Sequence, residues 1–276
     1  MDTGRVDRAP TTLFRFHSNQ RKEMPMRYHD EAPFQPKKPR SDKGLIRWSP
    51  RDESCLTWIA DQYAARLDQI QQLLSRDPGG QLKDERKGLA ATTVMDQVNR
   101  WTRAGWIEYE RVLVNQPGWA WITKKGLQAL DLDGCYRARP PSHTRFAHIF
   151  AVNQLRLDVE RFPEYSWKSE RQYRAELSIA KGESSGPIPD AVVTSEKIGD
   201  IAIEVELTAK KPDDLYKKLN ALASHYKDRR HVFPTIWFYV PDEKIQQAVL
   251  RAHADLIDDY QKRIDVALFP QLLSGE

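Results

Sequence analysis

The chain has 276 residues, of which 40% are hydrophobic, 10% aromatic and 30% charged, with eight Trp and a formal net charge of +4. That composition excludes a wholly disordered chain, and the length predicts two folded units, each able to bury a core. No apolar run reaches the roughly 18–20 residues that span a bilayer, and charged residues stand where a leader would have its apolar stretch, which predicts a cytoplasmic protein with no membrane partner. Cys55 and Cys135 are the only cysteines and lie far apart in sequence, at no zinc spacing, so reduced thiols are expected.

The basic excess is concentrated at the start. Residues 1–49 hold 11 Lys/Arg against 6 Asp/Glu. Few aliphatics and a Pro-rich stretch at 32–40 predict a disordered arm over 1–44, with Lys37, Lys38 and Arg40 as DNA phosphate contacts. A solvated leader without a partner is the alternative.

Residues 45–136 read as a winged helix-turn-helix. Ser49, Pro50 and Asp52 mark a helix start, and Leu56, Ile59, Ala60 and Tyr63 continue it for about 15 residues. A second helix over 66–74 follows, with Leu67, Ile70, Leu73 and Leu74 on one side, and a polar loop at Asp77-Pro78-Gly79-Gly80 ends it. A third helix over 89–104 turns Val94, Val98 and Trp101 inward and Thr92, Asp96, Asn99, Arg100 and Arg103 outward, until Gly105 stops it. Strands at 106–114 and 119–123 then form a hairpin around Asn115-Gln116-Pro117-Gly118. In this order the third helix enters a DNA major groove, with Thr92, Asn99, Arg100 and Arg103 as contacts. A small helical packing module that binds protein is the alternative.

Residues 142–276 predict an α/β domain. A helix over 142–161 precedes strands at 165–176, 188–194 and 200–207, a helix over 213–228, a buried strand at 235–240, a helix over 242–258 and a last strand near 263–269. This αβββαβ order is the skeleton of the PD-(D/E)xK nuclease superfamily. Pro189-Asp190 begins the second strand, and on the third Glu204 and Glu206 share one face, about 6.5–7 Å apart. Asp190 and Glu204 are the expected metal ligands, for Mg²⁺ or Mn²⁺ if the site is catalytic, with Glu206 and Lys210 as further catalytic candidates. Glu206 stands where the superfamily has Lys. A migrated lysine at Lys210, Lys217 or Lys218 would compensate, and a decayed site would not. Alternatively Glu204 and Glu206 are the solvated face of an edge strand. No phosphate loop, zinc pattern or nucleophile elbow is present.

Taken together, the chain resembles the replication-relaxation family of Gram-positive plasmids and integrative elements. The resemblance lies in Trp-Ile-Thr-Lys-Lys-Gly-Leu-Gln-Ala-Leu at 121–130, His-Ile-Phe-Ala-Val-Asn-Gln-Leu-Arg-Leu at 148–157, Pro-Asp-Ala-Val-Val at 189–193, and Ile-Glu-Val-Glu-Leu-Thr at 203–208 followed by a Lys-rich helix ending at Tyr226. It implies a nucleoid- or plasmid-associated DNA-binding protein acting in replication, relaxation, mobilisation or local transcription control. Its partners would be double-stranded DNA, a relaxase or replication protein, and a second copy in a homodimer. Two other functions stay open: a metal-dependent DNA endonuclease targeted by the winged helix, and an adaptor whose degenerate nuclease fold binds a relaxase or replication protein.

Overall fold

Ser49 opens the first helix as its spacing predicts. Its Oγ accepts from the Asp52 backbone N–H at 3.2 Å, and Asp52 Oδ2 accepts from the Ser49 N–H at 2.9 Å, closing a capping box with Pro50 at the first helical position. The computed structural model describes residues 47–76, 89–176, 188–224 and 233–269. Helices and strands are mixed throughout, as an α/β chain requires. The arm residues Lys37, Lys38 and Arg40 and the loop at 77–80 lie outside the described residues.

Helix α1 (Pro50–Asp61) ends earlier than the expected 15 residues, because the chain turns at Tyr63 with φ of 69°. A short strand β1 (Ala65–Arg66) and helix α2 (Leu67–Leu74) follow. Helix α3 (Ala91–Ala104) stops at Gly105, whose φ of 73° is the left-handed conformation that glycine adopts without strain. Strands β2 (Ile107–Glu110) and β3 (Trp119–Ile122) pair antiparallel, and β1 adds to the other side of β3. Val94, Val98 and Trp101 pack with Leu56, Ile59, Ile70 and Leu73. Helix α4 (Lys124–Ala129) was not expected. Thr123 caps it, its Oγ1 accepting from the Gly126 N–H at 3.0 Å.

Beyond residue 142, a 3₁₀ turn (His143–Arg145) leads into α5 (Phe146–Val159) and strand β4 (Tyr165–Ser169). The strand expected over 165–176 is corrected here, since its second half is helix α6 (Glu170–Glu176). Ser169 and Gln172 form a reciprocal cap, Ser169 Oγ accepting from the Gln172 N–H and Gln172 Oε1 from the Ser169 N–H. Then come β5 (Ala191–Ser195), β6 (Gly199–Val205), α7 (Pro212–Ala223), β7 (Thr235–Val240), α8 (Glu243–Ala254), the single-turn α9 (Asp258–Gln261) and β8 (Ile264–Leu268). The helix expected to reach 228 is described only to Ala223, and the one expected over 242–258 breaks after Ala254.

The larger sheet has the order β4-β5-β6-β7-β8; its first three strands are antiparallel and the last three parallel. β6 is therefore central, with both faces covered. Ile201, Ile203 and Val205 meet Ala151, Val152, Leu155 and Val159 of α5, while Ala202 faces Leu215, Leu219 and Leu222 of α7. The edge-strand alternative for Glu204 and Glu206 fails on this topology.

Helix α5 is buried on several sides. Phe146 and Ile149 pack with Ala64, Trp119 and Trp121. Asn153, wholly buried, donates from Nδ2 to Ala64 O at 2.9 Å and to Gln69 Oε1 at 3.0 Å. Asn153→Ala should lower stability by about 2–4 kcal/mol, because the Ala64 carbonyl loses its buried donor and Gln69 Oε1 keeps only the Arg66 N–H. Urea unfolding measures this.

Candidate functional site

The chemistry collects at the C-terminal end of β6. Asp190 lies just before β5, tied by its N–H to Ile203 O at 3.0 Å. Both of its carboxylate oxygens are engaged: Oδ2 accepts from the Val205 N–H at 2.9 Å, and Oδ1 lies 2.9 Å from His148 Nε2 on α5. Glu204, two residues beyond Ala202, faces α7 and is buried. Glu206 follows β6 directly; its N–H donates to Tyr239 O at 2.9 Å and its side chain is also buried.

Helix α7 supplies the balancing charge. Leu215, Leu219 and Leu222 anchor it on the sheet, and Lys218, in that register, places Nζ 2.7 Å from Glu204 Oε2 and 3.7 Å from Glu206 Oε2. Lys210 pairs with Glu206, and Lys217 is exposed. Of the candidate lysines, Lys218 is thus the one that reaches Glu204.

Burial, and then repulsion by Asp190, push the Glu204 carboxyl up to about 8, against the pull of Lys218. Burial pulls the Lys218 ammonium down, but the facing carboxylate of Glu204, helped by Asp190 and Glu206, outweighs it and raises the group. The same balance holds at His148, where burial lowers and the hydrogen bond to Asp190 raises, with a net rise.

Asp190 and Glu204 offer hard oxygen donors that suit Mg²⁺ or Mn²⁺, ions that take one or two carboxylates and keep several waters. Among the described residues no group of three or more His, Cys, Asp and Glu converges as a metal cage. A cleft lined by Asp61, Tyr63, Arg145, His148, Glu170 and Asp190 adjoins the site. Arg145 lies over the Tyr63 ring at 4.7 Å, and the Tyr63 hydroxyl donates to Glu170 at 3.2 Å.

On α3, Thr92, Asp96, Asn99 and Arg103 are exposed as expected. Arg100 is drawn inward. Its guanidinium pairs with the buried Asp52 and donates to Arg47 O at 2.8 Å, while Gln97 and Trp101 also donate to Asp52. A buried carboxylate needs such partners, and this one takes Arg100 from the exposed face. Sequence reasoning missed His148 as a partner of Asp190; its only signal was its place near the start of the helix before the strands.

No family model, curated protein or solved structure matches the chain.

The raised Glu204 carboxyl has a pH signature. Unfolded, it titrates near the ordinary 4.5, and folded near 8, so between those values the folded chain holds the extra proton and stability falls as pH rises. Glu204→Gln should flatten the decline in melting temperature between pH 5 and pH 8. Thermal melts at constant ionic strength test this; an unchanged slope would contradict it.

Proposed function

We propose that this chain is a DNA-binding protein in which residues 45–136 act as a winged helix-turn-helix and residues 142–276 as a PD-(D/E)xK-like domain. The observation that carries the reading is α3, which exposes Thr92, Asn99 and Arg103 along one side and runs directly into the β2–β3 hairpin. A helix of 14 residues with such a face suits a major groove, and the hairpin would lie along the backbone. The resemblance to replication-relaxation proteins supports a role in replication, relaxation, mobilisation or local transcription control of a plasmid or mobile element.

Asn99→Ala with Arg103→Ala should weaken binding to the cognate duplex by about 2–5 kcal/mol, provided one or both touch base edges. Fluorescence anisotropy on a duplex selected from a random pool checks this. Arg100→Ala should instead lower stability, because it strips the guanidinium from Asp52.

A second reading, a metal-dependent DNA endonuclease, is favoured by the Lys218–Glu204 pair, which supplies a lysine where the position of Glu206 lacks one. Asp190 and Glu204 would hold the cation, which when bound would activate water and stabilise the leaving oxygen. Purified protein would then nick supercoiled plasmid in Mg²⁺ or Mn²⁺, and Asp190→Asn would abolish nicking while leaving duplex binding nearly intact. Intact plasmid after incubation with either ion would remove this reading and leave the DNA-binding one standing.

A further inference from the structure

We infer that Lys218 is a tethered counter-cation: its ammonium and a divalent metal ion compete for the Glu204 carboxylate, so the site exchanges one for the other. This rests on the reading that Asp190 and Glu204 face a cation. Glu204 is buried beside Asp190, and its carboxylate, once ionised, pairs with Lys218, whose Nζ lies 2.7 Å away. A buried carboxylate left unpaired is costly, so the lysine stabilises the fold in the place an external cation would otherwise take.

Three features make the exchange feasible. Lys218 ends a flexible stem on α7, and its side chain, 25% exposed, is not sealed in the core. The Phe238 ring, 5.3 Å from the ammonium, attracts it without a hydrogen bond to anchor it. Withdrawal also strands no other group. Glu206 keeps Lys210 and the Thr208 hydroxyl, and Asp190 keeps its hydrogen bonds to the Val205 N–H and His148. Only Glu204 is released, alongside an Asp190 already oriented by the backbone.

The test uses MnCl₂ alone, with calorimetric titration and thermal melts on the full chain. In EDTA, Lys218→Met should melt lower than wild type. It should also bind Mn²⁺ severalfold more tightly and gain more melting temperature from it, because the competing charge is gone. Lys217→Met, at an exposed position on the same helix, should bind Mn²⁺ as wild type does, and Glu204→Gln should show no response. Equal Mn²⁺ affinity in wild type and Lys218→Met, with Glu204→Gln unresponsive, would overturn the exchange while leaving the cation site in place. A response that survives Glu204→Gln, or is absent from both wild type and Lys218→Met, would overturn the cation site and the exchange with it. Should Lys218→Met fail to fold, nuclear magnetic resonance of wild-type chain labelled at the lysine nitrogens decides the matter. MgCl₂ should shift the Lys218 ammonium signal and leave that of Lys210 in place; an unmoved Lys218 signal at saturating Mg²⁺ would contradict the exchange.

Discussion

Two carboxylates buried at the end of a central strand constrain everything around them. Glu204 and Glu206 are nearly inaccessible, and a charge taken out of water costs several kcal/mol unless it is paired and hydrogen-bonded. The fold answers with Lys218 and Lys210, and the first of these depends on how α7 lies on the sheet. Leu215, Leu219 and Leu222 set the face that α7 buries, and only in that register does Lys218 meet Glu204. An apolar pair at 204 and 206 would satisfy the core more simply. Charged groups stand there instead, next to Asp190 and a cleft, and burial raises the Glu204 carboxyl.

The same economy of charge joins the segment before residue 137 to the sheet. Arg171 of α6 donates to Arg137 O at 3.0 Å and caps the end of α1 at Ala60 O, with its guanidinium against the rings of Tyr63 and Tyr136. Arg156 of α5 pairs with Asp61 at 3.5 Å and with Glu160, which also accepts from Trp58 Nε1 at 3.1 Å. Breaking one member would leave a buried charge unpaired, so these contacts act as a set. Together with the ring packing of Trp119 and Phe146 they carry the chain from α1 to β8 as one compact unit. The α3 face and the Asp190 cleft consequently belong to one body.

Periodicity made most of this architecture legible. The inward stripe of α3, its stop at Gly105, the alternation along β6 and the shared face of Glu204 and Glu206 all follow from spacing. The failures have physical causes. The run 165–176 alternates like a strand, yet Ser169 and Gln172 form an Ser-x-x-Gln cap whose reciprocal hydrogen bonds start α6 at once. The cap was readable, and outward alternation hid it. Periodicity places Arg100 on the exposed face because it reflects only its own helix, whereas Asp52 reaches it from α1. Lys210, Lys217 and Lys218 were indistinguishable in sequence, since which one meets Glu204 depends on how α7 crosses the sheet. The His148–Asp190 contact joins residues 42 positions apart, and nothing local announces it.

The most direct measurement of the central claim, that Asp190 and Glu204 form a cation site from which Lys218 can be displaced, is anomalous diffraction from crystals equilibrated with MnCl₂. The account predicts an anomalous peak flanked by the Asp190 and Glu204 carboxylates, with the Lys218 ammonium withdrawn toward solvent. Crystals saturated with Mn²⁺ that show no peak there, and Lys218 still seated on Glu204, would contradict it.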